Sequence, residues 1–98
     1  MHHTNNTRST TVDRAIVMRE DRRDGGWSEI GIWIRRPNTT WSSNKIGAVV
    51  THPHARAKWF VYSDNNKREA CKTRHAAIKR AIEIARSLPE YKSAMEAP

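Results

Sequence analysis

The chain has 98 residues, 37% hydrophobic and 29% charged, with a formal net charge of +8. That length builds one small domain around one modest core and excludes a large cleft between domains. No apolar run approaches the roughly 18 residues that span a bilayer, the first residues lack the apolar region of a secretory signal, and the single cysteine, Cys71, cannot close an internal disulfide. A soluble, cytoplasmic protein without membrane contact is expected.

In chain order, residues 1–12 are polar, rich in Thr and Asn and without periodicity, and read as a disordered arm. A single domain is expected over 13–88, with 89–98 as a C-terminal tail. Residues 14–19, RAIVMR, are an apolar run bounded by charges and predict a first strand. Asp24-Gly25-Gly26 then supplies a turn, because glycine accepts positive φ without a steric penalty. Residues 28–36 alternate with period two. Ile30, Ile32 and Ile34 fall on one face, expected to be the core face, and Gly31, Trp33 and Arg35 on the other.

Pro37 and Asn38 end that strand, and the stretch RRPNTTWSSNK (35–45) places Trp41 among cations and turn formers with no apolar neighbour. KIGAVVTH (45–52) and RAKWFVYS (56–63) are β-branched or aromatic and predict two further strands. On the second of these the inward set is Ala57, Trp59 and Val61, which sends Lys58, Phe60 and Tyr62 outward. Asp64-Asn65-Asn66 fits a hairpin turn, with 67–72 as the short return strand.

Thr73 is placed to cap a helix over 74–88, a run of good helix formers without Gly or Pro. Ile78, Ala81, Ile82, Ala85 and Leu88 recur at three- and four-residue spacing, widened by Ala77 and Ile84, and predict the face that packs on the sheet. Pro89 ends or kinks this helix, and Ser87 to Glu90 can cap a short further turn. The elements add up to an α+β two-layer domain, an antiparallel sheet of four to five strands packed on one C-terminal helix.

Charge is concentrated in one segment. From Arg35 to Arg80 there are eleven Lys/Arg and two acids, Asp64 and Glu69, so these residues carry +9 and hold the whole excess. Such clustering suits a polyanion, since each cation set on a phosphate releases condensed counterions. One helix covers one face of a sheet and leaves the other open. On that open face aromatics and cations would alternate, a pattern in which bases stack on rings while cations hold phosphates. Nucleic acid, DNA or RNA, is therefore the expected partner, and the expected surface is Trp33, Arg35, Arg36, Trp41, Lys45, Arg56, Lys58, Phe60, Tyr62, Lys67, Arg68 and Lys72.

The junction of a strand with KTRHAAIKRA (72–81) resembles the end of the three-stranded-sheet-plus-helix domains of the AP2 type and of integrase arm-binding modules. That resemblance implies duplex DNA binding through a sheet. Arg74 and His75 stand where those families carry acids, and none of their DNA-contacting residues is carried over.

Catalytic constellations are missing from the sequence. His52 and His54 lie at no recognised metal spacing from Asp64 or Cys71. No paired carboxylates sit in an apolar setting, Cys71 near His75 has no third group to support it, and there is no Gly-rich phosphate loop. Neither enzymatic activity nor a cofactor or metal is expected. The alternative to nucleic-acid binding is a small accessory protein of a phage or mobile element that inhibits or modulates a host protein, an acidic one above all, or a nucleoprotein complex. Short basic chains of this kind are common among such proteins. A homodimer formed through the open sheet face is a further expected contact.

Overall fold

The computed structural model describes residues 7–23, 27–35, 45–51, 59–62 and 68–96. Its elements are β1 (Thr7–Asp13), β2 (Ile16–Arg23), β3 (Trp27–Ile34), β4 (Lys45–Thr51), β5 (Trp59–Tyr62), β6 (Arg68–Cys71), α1 (Arg74–Arg86) and α2 (Pro89–Glu96). The six strands form one antiparallel sheet in sequence order, each paired with its neighbour in the chain. Both helices follow the last strand, so the domain is a small α+β unit.

Three expectations need correction. The sheet has six strands instead of four or five, and twice as many as the domains that the strand–helix junction resembles. Residues 7–12, expected in a disordered arm, belong to β1, which Thr7 to Thr11 join to β2 through the register Thr7↔Asp21 to Thr11↔Val17. Residues 89–96, expected in a tail, form a second helix, anchored by buried Ala94. Pro89 opens that helix at its first position, where a missing N–H costs nothing.

Alternation in β3 sets the faces of the sheet. Ile30, Ile32 and Ile34 are fully buried on the helix side, and register carries that face to the neighbours: Ile16 lies opposite Ile34, Met18 opposite Ile32, and Glu20 opposite Ile30. On β5, Val61 is buried and Trp59 packs against the core, while Tyr62 is exposed. The expected phase of this strand therefore holds for residues 59–62; Ala57 and Lys58 lie outside the described residues, as do the turns at 24–26 and 64–66. Burying each large aliphatic chain contributes about 1.5–3 kcal/mol.

Thr73 caps α1 as expected, its hydroxyl accepting the Ala76 N–H at 3.0 Å. The buried line of α1 is Ala77, Ala81 and Ala85, with Ile78, Ile82, Ile84 and Leu88 half-buried beside it. Small side chains at the line of contact let the helix come close to the sheet. It lies over β4 and β5, with β3 and β6 to either side, and α2 touches α1 and β3.

Ion pairs fasten the helix layer at its flanks. Arg74 donates to Glu20 of β2 at 2.7 Å. Arg80 makes a two-pronged contact to Glu69 of β6 at 2.8 and 3.0 Å, and Arg86 reaches Asp13 at 3.2 Å. The Arg80 hydrogen bond is the main influence holding the Glu69 carboxyl below its usual range, and Glu69 in turn raises Arg80. Asp13 also organises the β1–β2 turn. Its Oδ1 accepts the N–H groups of Ala15 at 2.8 Å and Ile16 at 2.9 Å, the local bonding that suits aspartate to turns. The Ala15 carbonyl then accepts the Arg35 N–H at 2.6 Å, which ties the end of β3 to that turn.

Candidate functional site

Both helices lie on one side of the sheet, so its other side is a continuous face crossed by register rows. One row runs Thr11, Val17, Trp33, Lys45. The next runs Ser9, Arg19, Gly31, Ala48, Tyr62, Arg68, and the third passes through Asp21, Glu29, Val50, Phe60 and Ala70. Adjacent strands are about 4.8 Å apart, so Gly31 and Tyr62, two strands apart in one row, are separated by about 10 Å.

Of the expected binding residues, this face brings together Trp33, Phe60, Tyr62 and Arg68. Trp33 and Phe60 are half-buried, and Tyr62 is 39% exposed. Arg68 sits with its guanidinium carbon 4.8 Å from the centre of the Phe60 ring, a cation–π contact that holds a charge beside an aromatic plane. Arg35 is exposed just beyond the end of β3, and Lys45 stands opposite Trp33 in register. Lys72 is exposed at the junction of β6 and α1, off the rows of the sheet. Arg36, Trp41, Arg56, Lys58 and Lys67 lie outside the described residues.

Three charged residues absent from the expected set also sit here. Arg19, Asp21 and Glu29, with Gly31 and Trp33, line a shallow depression of about 180 Å³. Arg19 Nε lies 3.6 Å from Asp21 Oδ1. The described part of the face is thus mixed in charge, with the two carboxylates on β2 and β3 next to Arg19, and Arg68 on the far strand β6. Val17, beside Trp33, is buried at 8% exposure although it faces away from the helices, so this end of the face is covered. Asp21 was missed because the first strand was expected to stop at Arg19, whereas Arg19 and Glu29 lay within the expected strands and were legible from the period-two runs Val17, Arg19, Asp21 and Glu29, Gly31, Trp33.

The segment carrying the charge excess is also used differently from the expectation. Arg74 and Arg80 belong to it, yet both are engaged in ion pairs between α1 and the sheet, with Glu20 and Glu69. The cations of that segment that accompany the open face are Arg35 and Arg68 among the described side chains.

His52 and His54 lie outside the described residues, and among the described residues no three His, Cys, Asp or Glu side chains are grouped to hold a metal ion. Cys71 faces the helix side opposite Trp59 and packs, half-buried, against the core. Among the described residues no helix is long and apolar enough to cross a membrane. No protein-family model, curated protein or solved structure matches the chain.

Proposed function

We propose that this protein is a non-enzymatic nucleic-acid-binding protein whose binding surface is the open face of the sheet. The observation that carries the reading is the placement of Trp33, Phe60 and Tyr62, partly accessible, between Arg19, Arg35 and Arg68 on a face that neither described helix covers. Each base stacked on such a ring contributes about 1–3 kcal/mol, while the arginines neutralise phosphates.

Stacking on partly accessible rings favours a single strand over a duplex, whose bases are already stacked on one another.

The test is an electrophoretic shift with single-stranded and duplex oligonucleotides at about 50 and 200 mM salt, where several phosphate contacts lower affinity about tenfold or more. Binding that falls with salt, prefers the single strand and is weakened by Arg35→Glu with Arg36→Glu supports the reading. Binding that ignores both salt and these substitutions overturns it.

A second reading has one specific observation behind it. The mixed charges of Arg19, Asp21 and Glu29 beside the half-buried Trp33 have the composition of a protein-docking surface. In that reading the face binds a host protein or nucleoprotein complex, or a second copy of the chain, and purified protein carries no nucleic acid by its 260/280 absorbance ratio.

A further inference from the structure

The helix layer is narrower than the sheet beneath it. α1 lies over β3 to β6, and on the same side β1 and β2 project beyond its flank. Two strands span about 10 Å, close to the 10–12 Å diameter of a helix with its side chains. Between the Arg74–Glu20 and Arg86–Asp13 contacts, the strip they leave has an apolar floor of Val12 and Met18, with exposed Thr10 opposite Met18, and an apolar wall of Ile78 and Ile82 on the flank of α1, the four apolar side chains all half-buried. A cavity of about 330 Å³ opens between Val12 and the flank of α1, where Ile78 and Ile82 are joined by His75, Lys79, Glu83 and Arg86.

The border of this strip is cationic. Arg8 and Arg22 stand exposed on the helix side of β1 and β2, opposite Glu20 and Ser28 in register. His75 and Lys79 stand exposed on α1, and none of these four forms an ion pair among the described residues. The acids nearby are already matched: Glu20 by Arg74, Asp13 by Arg86, and Glu83 by Arg80 at 3.6 Å.

We propose that this strip is a docking groove for an amphipathic helix of a partner protein, one with an apolar stripe at three- and four-residue spacing and acidic flanks. Such a helix would lie beside α1, its stripe on Val12, Met18, Ile78 and Ile82 and its acids toward Arg8 and Lys79. An added strand would pair with the edge of β1 and leave the depth of the strip unfilled. A second copy of this chain offers no spare helix among its described residues, because α1 and α2 are both packed on their own core. The inference concerns the opposite side of the sheet from the nucleic-acid surface and does not rest on it.

The test uses a stapled helical peptide of about 16 residues, with a leucine stripe and glutamate flanks, and the same peptide with lysine flanks. Binding is read by fluorescence anisotropy and mapped by amide shifts on the full chain. The expected result is binding of the glutamate peptide alone, with shifts at Val12, Met18, Ile78 and Ile82. In Arg8→Glu with Lys79→Glu, both exposed positions, affinity for that peptide falls about tenfold and the lysine peptide gains. Three results overturn the proposal: no binding of either peptide, shifts confined to the open face, or self-association that moves the groove signals without peptide.

Discussion

The Tyr91 hydroxyl donates to the same oxygen of Asp13 that Arg86 contacts, at 2.9 Å, bridging residues 78 apart in the chain. One carboxylate thereby joins the β1–β2 turn, the end of α1 and the start of α2. Partial burial pushes the Asp13 carboxyl upward and is the largest single influence. The Ala15 N–H, Tyr91, Arg86 and the Ile16 N–H together outweigh it and hold the group below its ordinary value of 3.8.

A carboxylate with a depressed folded value contributes stability that is complete above 3.8 and lost as pH falls through the folded value. Asp13→Asn is expected to cost about 1.5–3 kcal/mol near neutrality, the range for hydrogen bonds to a charged group. Melting curves from neutral pH down to about 2.5 should show the native chain losing more stability below 3.8 than the variant does. Parallel curves would deny Asp13 this role.

Thr73→Ala should destabilise the domain by about 1 kcal/mol, because it leaves the Ala76 N–H without its acceptor. Thr73→Ser should retain most of the native value. Denaturant titration of the two variants separates the loss of the cap from a general effect of altering the junction.

Ile32→Ala, at the centre of the fully buried row, is expected to cost about 2–5 kcal/mol. Tyr62→Ala on the opposite face should stay within about 0.5 kcal/mol while weakening oligonucleotide binding. Chemical denaturation and the shift assay on the same preparations check both halves. A large stability loss in Tyr62→Ala would place that ring in a covered interface instead of on an open surface.

The Arg80–Glu69 pair has short, two-pronged geometry, yet both side chains are nearly half exposed. Solvent screening leaves such pairs with little net effect. Arg80→Gln should therefore leave the melting temperature unchanged, in contrast to Asp13→Asn, and added salt should make no difference between native chain and variant.

The isoleucine row of β3, the phase of β5 and the cap at Thr73 were legible because each is a local pattern with one physical solution. β1 was not: an edge strand with solvent around most of it needs no alternation, and Thr-Arg-Ser-Thr-Thr has none. The helix stripe was legible too, and its alanines Ala77, Ala81 and Ala85 form the line of close contact with the sheet. Glu20 interrupts the apolar face of β2, and its partner Arg74 lies 54 residues on, so the strand was ended too early and Asp21 was lost from the site. Trp33, Phe60 and Tyr62 were placed on the open face by period alone. Glu29 follows from the same alternation in β3, and what no single segment reveals is that it lies opposite Asp21.

The meander has a consequence for the order in which the domain is made. Every strand pairs with the one before it, so hairpins can close one after another during synthesis, with little cost in chain closure. The cover for their apolar face arrives only with the helices after Thr73. Until then the row Ile30, Ile32, Ile34 is finished as a sheet surface and still wet, which makes the nascent chain, more than the mature one, the species that aggregates.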